Sequence, residues 1–196
     1  MNDHQPIDSE NSSTAHAASA PSALPGRPQG SLGWLRDVLA SIAVSVFIIL
    51  FLYQPVRVEG TSMVPMLQDQ DRLFINKLAY RVGTVHHSDV VVFHYPRDIT
   101  KSYIKRVIAL PGDRLRIDHG RVYVNDMKLA EPYVPARYAD ERSQPEMLVP
   151  EGEYFVMGDH RSISSDSRDF GTVDRGLIYG KASFVYWPFD QAGAVH

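Results

Sequence analysis

Three short stretches of this sequence hold residues whose types and spacing could do chemistry. In Gly60-Thr-Ser-Met-Val-Pro-Met-Leu67, Ser62 follows a glycine two positions back. A glycine there allows a tight backbone that exposes a nucleophilic hydroxyl and frees nearby N–H groups for a developing oxyanion. Alone the signal is weak, because Gly-x-Ser also fits ordinary turns. In Tyr103-Ile-Lys-Arg-Val-Ile-Ala-Leu-Pro-Gly-Asp113, Lys105 lies in a strand-like run ending at a Pro-Gly turn. With Ile104 and Arg106 on the opposite face, it shares a face with Tyr103 and Val107. An ammonium in apolar company loses solvation, so its pKa falls and the neutral amine becomes available as a general base. A snorkelling edge lysine would read the same way on this run alone. The third stretch, Met157 to Gly171, crowds hydroxyls, two arginines and three carboxylates together. Asp166 and Arg168 are close enough to pair, and the serines could hydrogen-bond a buried amine. A solvated polar loop has the same composition.

Other chemistries are removed by what the chain lacks. Cysteine is absent, which excludes disulfide scaffolds, thiolate zinc sites, iron–sulfur clusters and a cysteine nucleophile. His86, His87, His94, His119 and His160 are scattered, without a triad motif or metal-ligand spacing, so no cofactor or metal is expected. The formal net charge is −3, from 20 Lys+Arg against 23 Asp+Glu, which argues against nucleic acid as a partner.

The elements that must position these residues fall into three regions. Residues 1–33 are rich in Ser, Ala, Pro and Gly and read as a disordered leader. Residues 34–54 read as a single transmembrane anchor. Val38 to Tyr53 is an uncharged run of 16 residues, with Trp34 and Tyr53 placed as interfacial anchors. Arg27 and Arg36 on one side balance Arg57 and Arg72 on the other, so charge does not set the orientation. Residues 55–196 are dominated by short β-branched and aromatic runs punctuated by Gly and Pro. They predict strands over 89–94, 103–110, 153–157 and 181–187. Arg114–Asp118 and Arg121–Asn125 alternate with period two around His119-Gly120, a hairpin pattern. The expected fold is mostly β, in antiparallel sheets, with a small accessory β-region around 113–150.

Together, in this order and behind an apolar run, the three stretches resemble the bacterial type I signal peptidases. Gly60–Leu67 is similar to that family's nucleophile box, Lys105–Asp113 to its general-base box and Gly158–Arg168 to its final box. The resemblance runs from about Leu35 to Trp187. It implies an antiparallel two-sheet catalytic domain behind one transmembrane helix, in the bacterial plasma membrane with the domain extracytoplasmic. It also implies a serine endopeptidase that removes signal peptides from secreted preproteins after Ala-x-Ala sites. Ser62 would be the nucleophile and neutral Lys105 its base. Ser164 would position the amine, with Asp166–Arg168 and Asp159–Arg106 as supporting pairs. Val58, Met63, Leu67, Tyr103 and Ile104 would line the substrate pockets. Partners would be preproteins and the lipid bilayer, and nothing demands more than a monomer. The chain departs from the family pattern at Gly60, where some members place a hydroxyl residue, and at Met66, where Thr is usual. It departs again at His160, Ser162 and Ile163 in the final box. A self-cleaving Ser/Lys repressor-type peptidase, a peptidase specialised for one precursor and a catalytically dead binding module are the alternatives.

Overall fold

The computed structural model describes residues 33–196, apart from the side chain of Leu50. Apart from Gly33, the leader expected over 1–33 lies outside the described residues. The chain divides into two units, residues 1–41 and 42–196. The stretch expected as an anchor forms helix α1, Gly33–Leu52, whose apolar residues, among them Leu39, Ile42, Phe47 and Phe51, are exposed. Among the described residues no helix is long and apolar enough to cross a membrane, so the anchor stands as a reading of the sequence. Tyr53, expected as the interfacial residue closing that stretch, instead opens strand β1 (Tyr53–Arg57) opposite Asn76. Pairing there satisfies the backbone groups that the helix no longer can.

Antiparallel strands build the rest. The larger sheet holds eight strands and runs β1, β2 (Arg72–Asn76), β11 (Ile178–Trp187), β3 (Val90–Tyr95), β4 (Asp98–Ala109), β9 (Glu153–Met157) and β10 (Val173–Asp174), with β12 (Gly193–Ala194) paired to β11. The smaller sheet has four, in the order β7 (Met127–Lys128), β6 (Arg121–Val124), β5 (Arg114–Asp118) and β8 (Gln144–Leu148). The β5–β6 hairpin turns at His119 and Gly120, both at positive φ (46° and 72°), as a tight two-residue turn requires.

Burial follows the side-chain pattern. Strand β3 is apolar without alternation because both of its faces are covered. Val90 and Val92 join Leu73, Ile75 and Ala182 in one core, while Val91 and Phe93 join Val107, Val156 and Ile178 in another. In β5 and β6 only one face is covered, and Leu115, Ile117, Val122 and Val124 pack a third core with Phe155. Strand β4 begins five residues before the run expected from sequence. Its first part, Asp98 to Ser102, shows no apolar period, yet it folds back along β3 with Tyr95 opposite Asp98 and His94 opposite Ser102. That early pairing sets the register that points Lys105 inward.

Candidate active site

Ser62 sits in the turn that follows β1. The turn is held by Val58 N–H to the Asp71 carbonyl (2.8 Å), Gly60 N–H to Asp69 Oδ1 (2.8 Å) and Leu67 N–H to the Met63 carbonyl (3.0 Å). Gly60 has φ +94°, a conformation side-chain-bearing residues rarely adopt, which accounts for glycine where a hydroxyl residue is an alternative. The Ser62 carbonyl accepts from His160 N–H (3.0 Å), tying the nucleophile turn to the loop after β9.

Lys105 reaches Ser62 from the middle of β4, and its Nζ donates to Ser62 Oγ at 2.6 Å. Only 4% of Lys105 is exposed, and its Nζ lies 5.2 Å from the centre of the Tyr103 ring. Burial is the main reason that its pKa falls from 10.5 to about 8. Asp166 and Asp159 pull it back up and Arg168 lowers it further, but desolvation dominates. A lysine near pH 8 is neutral often enough to take a proton from a serine held at contact distance.

Behind this pair lies a buried charged network. Arg106, 1% exposed, makes a two-pronged bond to the fully buried Asp159 (2.9 and 2.8 Å) and stacks on the Tyr133 ring at 4.1 Å. Asp166 caps the single-turn helix α2 (Ser167–Phe170) and binds the Arg168 side chain by Nε and by a terminal nitrogen, each at 2.7 Å. It also accepts from Gly158 N–H at 3.1 Å. Arg168 then reaches Asp140 (2.6 Å) and the Arg161 carbonyl (2.9 Å), and Arg161 pairs with Glu131. Glu131, Tyr133 and Asp140 were not singled out from the sequence. They lie in a motif-free segment and become partners only through the fold.

Ser164 differs from expectation. Its hydroxyl is buried and has no hydrogen-bond partner, whereas a bond to the lysine amine was expected. The oxygen lies over Gly158, 2.3 Å from where a Cβ on that residue would be, and the amine is engaged by Ser62 instead.

A cleft of ≈ 830 Å³ opens onto Ser62 and Lys105, flanked by residues 56–63 on one side and 100–105 on the other. Val58, Met63, Tyr103 and Ile104, which the resemblance assigns to the substrate pockets, line it. Leu67 does not, being fully buried in the core with Met63. Ile163, Ser165 and Tyr179 line it without having been assigned to the pockets. Ile163 stood out only as a departure from a motif. Its 56% exposure shows that the apolar side chain faces the cleft rather than the core.

Comparison with known proteins places this geometry in context. The family described as Signal peptidase, peptidase S26, matches residues 31–187. A signal peptidase I from Bacillus licheniformis is 35% identical over 171 residues, covering 81% of this chain and 89% of that protein. A signal peptidase IB from Staphylococcus aureus is 33% identical over 178 residues, covering 82% and 91%. The crystal structure of a signal peptidase I from Enterococcus faecalis V583 covers 52% of this chain and 99% of its own, with 29% identity and a TM-score of 0.47.

Proposed function

The chain belongs to the signal peptidase family, peptidase S26, and from that premise we propose that it cleaves preproteins through a Ser62/Lys105 dyad. As a signal peptidase I serine peptidase it removes signal peptides from secreted proteins. The observation that carries the dyad is the 2.6 Å contact between a nearly buried lysine amine and the Ser62 hydroxyl. A catalytically dead binding module would have no use for that contact, which keeps a lysine out of water.

The reaction is an acyl transfer. Neutral Lys105 takes the proton of Ser62 as its oxygen attacks the scissile carbonyl, and the Ser62 backbone N–H helps to hold the oxyanion. The resulting ammonium gives its proton to the leaving amine. Water, activated by the same amine, then releases the acyl group. Asp166–Arg168 and Asp159–Arg106 hold the loop and strand that carry these groups, and they move no protons in this scheme.

Cleavage after Ala-x-Ala is supported by the two-sided lining of the cleft. Two chain segments flank it, and an extended peptide laid between them turns alternate side chains the same way. The residues one and three positions before the cut therefore meet the wall formed by Val58, Met63, Tyr103 and Ile104. Large side chains there clash, while alanine fits. The test is a preprotein with an Ala-x-Ala site, incubated in detergent micelles and read by mass spectrometry. Wild type is expected to cut after the second alanine and Ser62→Ala to leave the substrate whole. Cutting by Ser62→Ala would remove the nucleophile assignment.

Single-pass anchoring by residues 34–54, with the catalytic domain outside the cytoplasm, completes the proposal. The anchoring is supported by the uncharged run in the sequence and by the exposure of the apolar side chains of α1, and the orientation by the family resemblance alone.

Gly158 supplies a further test. A Cβ on it would fall 2.3 Å from Ser164 Oγ and 2.4 Å from the Ser62 carbonyl oxygen, the second being backbone that must move. Gly158→Ala is therefore expected to displace Ser62 and lower kcat by about 10²-fold, as misplacement of a reacting group by ~1 Å does. Unchanged kcat would mean that the turn yields without moving the nucleophile.

A further inference from the structure

A second cavity, of ≈ 500 Å³, adjoins the cleft and shares Ser102 and Tyr179 with it. Lys77, Arg81 and Arg175 line it together with Gln54 and His94, and no carboxylate does. Among the described residues Lys77 and Arg81 make no ion pair, so no described carboxylate neutralises their charge. Arg175 is held in place by the carbonyls of Ile178 and Tyr80 and lies 5.6 Å from the centre of the Tyr80 ring, which orients its guanidinium without an ion pair to any described carboxylate. His94 Nδ1 is buried without a hydrogen-bond partner, beside the Tyr179 ring 4.7 Å away. Three cations around one cavity, with no carboxylate in its lining, form a receptor for a small oxyanion.

Its position selects the source of that anion. Lys77 N–H donates to the carbonyl of Leu52, the last residue of α1, at 3.1 Å, and Gln54 lies two residues beyond the helix. The cavity thus opens where the apolar helix ends. If α1 is the anchor, that is the level of the lipid headgroups. We propose that this cavity binds the phosphate of an anionic phospholipid, an inference that rests on the reading of α1 as an anchor.

The full chain in a non-ionic detergent is titrated with dihexanoylphosphatidylglycerol, dihexanoylphosphatidylcholine or inorganic phosphate while its unfolding midpoint is followed. The glycerol lipid is expected to raise the midpoint saturably, at concentrations about tenfold below those of the other two. The double variant Lys77→Gln, Arg81→Gln is expected to weaken that response about tenfold or more. Its cleavage rate in detergent should stay at the wild-type value, since neither residue lines the catalytic cleft. No response by wild type, or an equal response by the variant, overturns the proposal. Inorganic phosphate saturating at the same concentration as the glycerol lipid overturns the lipid as the source. Flotation with pure phosphatidylcholine vesicles tests the anchor separately. Failure to float with the lipid preference intact would remove the anchor and leave the cavity site standing; floating without that preference would do the reverse.

Discussion

Replacing Lys105 by arginine is expected to lower preprotein cleavage by about 10³-fold or more, although the positive charge is kept. A guanidinium does not give up its proton in water, so Lys105→Arg supplies no base for Ser62. The wild type should reveal the same requirement through pH. With the Lys105 pKa lowered by burial to about 8, cleavage should rise as pH climbs through that value and level off above it. Stability depends on pH through the same group. Below about pH 8 the folded protein holds a buried ammonium, and between about 8 and 10.5 the unfolded chain binds a proton that the folded chain does not. Stability therefore rises with pH across that window. Lys105→Met removes the buried charge and is expected to be more stable than wild type at pH 7, by about 3 kcal/mol at ~1.4 kcal/mol per unit. The gain should shrink toward pH 10.5. Stopped-flow cleavage and urea unfolding across pH 6–10.5 read the two effects together. A competent Lys105→Arg enzyme, or a flat pH profile, would leave the lysine without its role as base.

Parts of this arrangement are legible in the sequence alone. The hairpin at His119-Gly120 and strand β9 lie where period and turn chemistry put them, because each is fixed by residues close in sequence. Strands β1, β2 and β8 escaped. Tyr53–Arg57 was hidden against the apolar run before it, and Gln144–Leu148 carries Gln, Pro and Glu, which depress strand propensity. Its pairing with β5 overrides that weak local preference.

The site divides in the same way. Ser62, Lys105 and the Asp166–Arg168 pair were singled out because their three boxes, in order, resemble those of the family; each box alone reads equally well as a turn, an edge lysine or a polar loop. The network that steadies them was not singled out. Glu131 reaches Arg161, and Asp140 reaches Arg168, across 28 to 30 residues of chain, and no spacing rule announces a contact of that kind. Ser164 shows the opposite limit. Its place in the box was legible, but its hydroxyl direction depends on the close approach of Gly158, a packing detail.

The Arg106–Asp159 pair should show the largest effect on stability. Both side chains are out of water, at 1% and 0% exposure, and each is the main charge partner of the other. Asp159→Ala leaves a buried guanidinium facing an apolar void. It is expected to cost about 3–5 kcal/mol, a large part of the ~5–15 kcal/mol that holds a typical domain together. Arg106→Met should cost a similar amount, since it strands the carboxylate and abandons the Ser88 and His196 carbonyls and the Tyr133 ring. The combination Arg106→Met, Asp159→Ala isolates the pair. With no charge left to bury, the double variant should be less destabilised than the two single losses added together, so the cycle should return a coupling of about 2 kcal/mol or more. Cleavage should follow stability only in part. Asp159 adjoins Gly158, whose Cα lies against the Ser62 carbonyl and the Ser164 hydroxyl, so a folded double variant should still lose kcat. Full kcat in that variant would make the pair a support of the fold alone, while additive single losses in urea would mean that the two charges are solvated by something other than each other.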